Sequence, residues 1–255
     1  MDCQKFADRL DKRLDVDAYA SADASANGLQ IGPGDQQVER AAFAVDAAVE
    51  TIEAAADRDA DVLVTHHGIS WGGIERVTDR QYDRISAAIE NDLALYAGHL
   101  PLDGHQKLGN AAGIADLIEL GDREPFGVHG GEYIGQQGRF ADSRAIPDLV
   151  ETLSAELATG EGTVRALDFG PSKIRDVAIV TGSGVDWLDE AIEADADVFI
   201  TGEGKQSVYH EARESEINVV LGGHYATETF GVRSLQELVD EWGIETTFVD
   251  HPTGL

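Results

Sequence analysis

Residues 61–67, Asp-Val-Leu-Val-Thr-His-His, and residues 197–203, Asp-Val-Phe-Ile-Thr-Gly-Glu, share one pattern. Each opens on an acid, runs through four residues suited to a buried strand, and ends on polar groups at the strand's carboxyl end. One strand further on, Tyr96-Ala97-Gly98-His99 lines up with Val220 or Leu221, Gly222, Gly223 and His224. Four residues beyond each of those histidines stands an acid, Asp103 after His99 and Glu228 after His224. Helix matches between Ala-rich segments carry little weight, but polar residues at matched strand ends predict an internal repeat.

Working outward, Phe6, Leu10 and Leu14 recur at helical spacing, and Asn27-Gly28 supplies a turn into Leu29-Gln30-Ile31. Residues 41–45, 61–65 and 93–97 predict strands, with a helix carrying Val49 and Ile52 and another marked by Tyr82, Ile85 and Ile89; 106–118 predicts a further helix. The second half repeats the theme, with strands at 175–181, 197–201, 217–221 and 244–249. Its helix faces carry Leu188, Ala191 and Ile192, then Leu235, Leu238, Val239 and Trp242. Short apolar strands alternating with helices predict an α/β fold. The expectation is two similar α/β halves with largely parallel strand pairing, and a metal site at strand C-terminal ends between the halves. Residues 1–120 form the first half and 173–255 the second. The Gly-rich intervening segment 121–172, helical around Leu149, Val150, Leu153 and Leu157, is either an extra layer or a small subdomain.

Composition narrows the function. In 255 residues there are 48 Asp plus Glu against 19 Lys plus Arg, a net charge of −29, with the acids scattered through every segment. Such a chain repels itself at low salt, which points to solvent adaptation in a high-salt cytoplasm. No basic patch is present to release counterions from a polyanion, so nucleic acid is disfavoured as a partner. A single cysteine, Cys3, allows neither an internal disulfide nor a thiolate cluster. The N-terminus mixes charges into a helical pattern, lacking the apolar core of a signal peptide, and no apolar run approaches membrane-span length. The expectation is a cytoplasmic globular protein without membrane contact.

The chemistry gathers where open α/β sheets collect ligands, at the carboxyl ends of parallel strands. His66 and His67 follow one strand, His99 another and His224 a third, with Asp103 and Glu228 close by. Imidazole and carboxylate suit borderline divalent metals, and a carboxylate can bridge two ions. A His pair or a His-x-x-x-acid alone equally suits a turn or a local hydrogen bond; four histidines and two acids at three strand ends favour a metal site. His105, His129, His210 and His251 carry no such pattern. The TGEGKQS stretch departs from the Walker pattern at Phe199 and Gln206, and TGSGVDW has Trp187 where a dinucleotide fingerprint needs its third glycine. That glycine turn admits a helix, though its backbone N–H groups could hold an anion. Glu203, which the repeat places opposite His67, is the candidate general acid/base.

Thr-His-His-Gly at 65–68, Gly-His-Leu-Pro-Leu-Asp at 98–103, Thr-Gly-Glu at 201–203 and Gly-Gly-His-Tyr-Ala-Thr-Glu at 222–228 resemble the signature blocks of the Nif-three-like family, also named GTP cyclohydrolase I type 2. Asn27 to Ile31 resembles its N-terminal block, and Lys173 to Gly184 its central strand. The resemblance implies metal ligands at His66, His67, Asp103, His224 and Glu228 for two divalent ions (zinc, manganese, iron or similar), with His99 and Glu203 near them. It implies a homo-oligomer, commonly a hexameric ring, and a metal-dependent hydrolase of a small polar or nucleotide substrate. A non-catalytic metal-handling or assembly protein would use the same ligands. Some members of the family carry an inserted middle domain, for which this chain is too short, and Gly68-Ile69 stands here where Pro-Leu is frequent.

Overall fold

In the computed structural model, residues 1–157 and 164–255 are described; part of the intervening segment, 158–163, lies outside the described residues. Helix α1 (Cys3–Leu14) forms where the sequence spacing predicts it, with Phe6, Leu10 and Leu14 buried and the Asp2 side chain accepting from Lys5 N at 2.9 Å as its N-cap. Next come β1 (Gly28–Ile31), β2 (Arg40–Asp46), α2 (Val49–Ala56), β3 (Val62–His67), α3 (Asp79–Glu90), β4 (Ala94–Ala97), α4 (Leu100–Asp103) and α5 (Asn110–Leu117). The chain continues through β5 (Gly121–His129), β6 (Glu132–Ala145), α6 (Ile146–Glu156), β7 (Arg165–Leu167), β8 (Lys173–Ile179) and α7 (Leu188–Glu193). It ends with β9 (Val198–Thr201), α8 (Val208–Glu214), β10 (Asn218–Leu221), α9 (His224–Asp240) and β11 (Glu245–Phe248).

The chain divides into two compact units, Met1–Leu102 with Gly231–His251, and Asp103–Phe230 with Pro252–Leu255. The first unit is built on a sheet of order β1-β4-β3-β2-β11, in which β4, β3, β2 and β11 run parallel and β1 pairs antiparallel on β4. Its core includes Ala42, Ala44, Ile52, Leu63, Leu93, Leu95 and Val249. The second unit is built on a sheet of order β5-β6-β8-β9-β10-β7, parallel only across β8-β9-β10. Ile114, Phe140, Leu149, Leu153, Val177, Ile200 and Val220 form its core.

Strand pairing is therefore mixed, where the sequence predicts largely parallel pairing. The cause lies in the Gly-rich stretch. His129 pairs with Glu132 across Gly130-Gly131, whose φ values are 60° and 98°. A two-residue loop with positive φ at both positions is the turn that matches strand twist, and glycine adopts it without a Cβ clash. The result is the long antiparallel hairpin β5–β6, with β6 continuing antiparallel onto β8. Pro125, which has no N–H to donate, sits on β5 at the sheet's edge. The helix predicted at 106–118 begins later, at Asn110, because His105 Nδ1 accepts Lys107 N and Leu108 N at 3.2 and 3.0 Å in a tight turn before it.

The repeat is visible in hydrogen bonds. Asp61 Oδ2 accepts the N–H groups of Glu39 and Arg40, both at 2.8 Å, at the start of the preceding strand. Asp197 Oδ2 does the same for Arg175 and Asp176, at 2.6 and 3.0 Å. Gly98 N donates to Thr65 O at 2.9 Å, and Gly222 N to Thr201 O at 2.8 Å. These bonds hold the ends of β4 and β10 level with those of β3 and β9, where the polar residues stand. Among the described residues no helix is long and apolar enough to cross a membrane.

Candidate metal centre

In the first unit, β3 delivers His66 and His67, and the loop after neighbouring β4 delivers His99. Their ring centroids lie 4.6 Å (His66–His67), 5.0 Å (His66–His99) and 5.6 Å (His67–His99) apart. One ligand atom from each can be chosen so that all three lie within 4.8 Å of one another. The Nδ1 atoms are engaged: His66 with Gly98 O at 3.1 Å, His67 with Asp46 Oδ1 at 2.9 Å, and His99 with Asp23 Oδ1 at 2.9 Å. Carbonyl and carboxylate oxygens only accept, so each Nδ1 carries the proton. In the neutral form of each ring the lone pair is then on Nε2, the arrangement that histidine ligands of metals use.

Asp23 is the most elaborate of these partners. Its side chain is 1% exposed. Besides His99, it accepts Ser25 N at 2.8 Å, Leu100 N at 2.9 Å and Asn27 Nδ2 at 2.8 Å, while Asn27 Oδ1 accepts His99 N at 2.7 Å. Burial alone would raise the Asp23 carboxyl, but the hydrogen bond and charge of His99, with Asn27 and Ser25 N, hold it at about 2. The carboxylate is thus permanent at neutral pH, and it locks His99 in one tautomer.

In the second unit, α9 starts at His224 directly after the Gly222-Gly223 turn, and Glu228 follows one helical turn later on the same face. His224 Nε2 lies 3.2 Å from Glu228 Oε2, and Nδ1 lies 3.0 Å from Glu203 Oε1. Burial pulls the His224 pKa down, but the two carboxylates outweigh it and raise the imidazole to about 9. Glu203 is shifted below the usual carboxylate range, chiefly by the Ser183 hydroxyl that donates to it and then by His224. Asp103 Oδ1 accepts Asn110 Nδ2 at 2.8 Å and Thr181 Oγ1 at 3.3 Å, and an Asp103 oxygen lies within 4.8 Å of a Glu228 oxygen.

Sequence reasoning passed over Thr181-Gly182-Ser183, noted there only as a failed nucleotide fingerprint. Thr181 donates to Asp103 and Ser183 to Glu203. Gly182, at φ +57°, lies against Glu228: a Cβ there would overlap Oε1 of that carboxylate and approach His224 Nε2 to 3.2 Å. Three consecutive residues thus serve three acids, and their place after a strand in the repeat was the available signal. Asp23 was also missed; its clue was an acid four residues before the Asn27-Gly28 turn.

Of the residues singled out in the sequence, the first unit groups His66, His67 and His99, and the second groups Asp103, His224, Glu228 and Glu203. His105 serves a local turn, and His129 stacks on Trp187 with centroids 5.7 Å apart.

Fold and site define an α/β protein of mixed sheets whose strand ends carry oriented imidazoles and buried carboxylates, donors that could hold divalent ions. The family model for Duf34/NIF3 (NGG1p interacting factor 3) matches residues 1–253, and the chain belongs to this family. It is 55% identical to a GTP cyclohydrolase 1 type 2 homolog of Halobacterium salinarum, covering all of both chains. It is 40% identical to a protein of the same name from Pyrococcus abyssi, again over the whole of both. The crystal structure of TTHA1606 from Thermus thermophilus superposes with a TM-score of 0.90 at 34% identity, covering all of each chain.

Proposed function

We propose that this protein binds two divalent metal ions through His66, His67, Asp103, His224 and Glu228, with His99 beside them, and hydrolyses a small polar or nucleotide substrate. The observation that carries the reading is the orientation of the histidines. His66, His67 and His99 each have Nδ1 on an oxygen (Gly98 O, Asp46 and Asp23), which leaves Nε2 as the atom that can ligate, while His224 stands between Glu203 at Nδ1 and Glu228 at Nε2. The donor set of imidazole and carboxylate, without thiolate, fits zinc, manganese or iron. Bound ions of this kind supply Lewis acidity, polarising an electrophile and bringing water's pKa toward neutrality.

The chain's own residues do the rest. Asp23 and Asp46 keep protons on Nδ1 of His99 and His67. Glu203, anionic and 46% exposed, holds the Nδ1 proton of His224 and is the candidate proton acceptor for the reaction. The name borne by the relatives supports water attack on a purine nucleotide as the reaction class. A homo-oligomeric ring follows from the family resemblance, and exposed Tyr82 and Ile89 on α3 offer apolar surface for subunit contacts. The acidity suits a high-salt cytoplasm, and the relative from Halobacterium salinarum is consistent with that setting.

The test is elemental analysis of protein purified without added metal, then a nucleotide hydrolysis screen with each ion found. The expected result is two equivalents per chain and turnover that chelation abolishes and metal restores. At most one equivalent after metal-replete preparation defeats the dinuclear reading. Two equivalents without turnover on any nucleotide favour the metal-handling protein instead.

A further inference from the structure

Trp71 stands beside the first unit's histidines and is neither a metal ligand nor a partner to one. Its ring lies edge-on to His99, centroids 4.9 Å apart at 80°, and 5.9 Å from His67 at 49°. Yet the residue is 45% exposed. It is not a loosely held surface side chain. Its Nε1–H donates to Gly68 O at 3.2 Å, its backbone bridges to Ser25, and the next residue's N–H reaches Ala24 O at 2.6 Å. Ile69 is anchored too, its carbonyl accepting Gln81 Nε2 at 2.9 Å. The segment that fixes Trp71 is the one that presents Asp23 to His99. After it, Gly72 and Gly73 take φ values of 68° and 102°, and nothing among the described residues lies within 4 Å of the position a Cβ would occupy at either.

An indole 45% exposed forgoes part of the burial that its apolar area would otherwise gain. We propose that Trp71 is a stacking platform for the planar, nitrogen-containing aromatic ring of the ligand, a purine-type base, whose polar edge meets the adjacent imidazoles. The inference rests on the proposed function and deepens it by naming the part of the substrate that this surface takes. Ring stacking on an indole is a face-to-face interaction that any flat heterocycle can make. The side-chain rings that Trp71 meets are those of His67 and His99.

The experiment uses full-length protein at high salt, titrated calorimetrically with guanosine, GTP and ribose 5-phosphate. Wild type, Trp71→Phe and Trp71→Leu are compared, each with and without chelator. Both replacements are apolar, but only phenylalanine keeps an aromatic face. The expected result is guanosine and GTP binding weakened at least tenfold in Trp71→Leu and less than threefold in Trp71→Phe. Ribose 5-phosphate binding, metal content and sedimentation should be the same in all three. Equal guanosine affinity in Trp71→Leu and wild type overturns the proposal, as does the absence of guanosine binding to wild type. A parallel loss of ribose 5-phosphate binding overturns it by showing general collapse, and altered sedimentation does so by making Trp71 a subunit contact. Because guanosine binding is also measured in chelated protein, missing metal or missing turnover counts against the proposed function alone.

Discussion

In the first unit, Asp61 ties β3 to the start of β2, and Gly98 N on Thr65 O sets the end of β4; in the second, Asp197 and Gly222 make the same bonds. On these matching frames the side chains differ. The first unit carries three imidazoles oriented by a carbonyl and two aspartates. The second carries one imidazole among three carboxylates. Backbone hydrogen bonds and buried strand residues constrain the frame, whereas a side chain at a strand's open end is free to vary in chemistry. The duplicated frame thus carries mainly nitrogen donors in one unit and mainly carboxylates in the other.

The sharpest way to break this comparison is to remove the charge. Glu228→Gln keeps the shape of a side chain that is 4% exposed but loses an anionic oxygen. It should lower metal affinity at least tenfold, whereas His105→Gln, at a residue that stands in a turn before α5, should leave metal content unchanged. Equal metal loss in the two variants would show that the second unit's acids are not ligands.

Salt tests both units together. With 48 acids against 19 bases, repulsion is greatest in the folded state, where the charges are held close, and the Debye length grows from about 3 Å at 1 M to about 30 Å at 0.01 M. The melting temperature of chelated protein should fall by several degrees or more between molar and millimolar KCl. A flat profile would remove the high-salt interpretation, and two separate transitions would show that the units unfold independently.

A finer contrast lies between the acids that orient histidines. Asp23→Asn leaves a buried site that needs several acceptors with an amide that cannot meet them all, so unfolding in urea should show a loss of about 1–3 kcal/mol. Glu203→Gln, at a side chain 46% exposed, should cost under about 1 kcal/mol of stability. Equal stability losses would mean that burial does not separate the two positions.

The smallest expected effect concerns matched helix ends. Asp59 and Asp195 each precede a strand and take φ values of 54° and 55°, a left-handed conformation that glycine adopts more easily. Asp59→Gly and Asp195→Gly should each stabilise the protein by about 0.5 kcal/mol after allowing for the added freedom of the unfolded chain, measured by urea denaturation. Unequal gains would show where the repeat's backbone equivalence stops.

Local patterning made the repeat legible: strand 61–65 and strand 197–201 are apolar runs bounded by polar residues, and His66, His67, His99, His224, Asp103 and Glu228 stand out as ligand types at strand ends. The helix at 3–14 and the strands β8 to β11 follow from the same periodicity. The hairpin at Gly130-Gly131 was less legible, because its glycines suit a flexible loop as well as a tight turn until the flanking strands pair.

Side-chain polarity acts at short range, so the order of residues was enough to mark most strands and helices and the chemical groups that end them. The antiparallel pairing of β5–β6 and β6–β8 came from the folded chain, since pairing depends on which distant segment supplies the facing hydrogen bonds. The histidine tautomers came from it too, because they depend on oxygens 21 residues away for His67 and 76 for His99. Packing likewise turned Thr181-Gly182-Ser183 from a broken nucleotide motif into a seat for three carboxylates. The fit of Gly182 against Glu228 arises only when residues far apart in the chain are brought together in one unit.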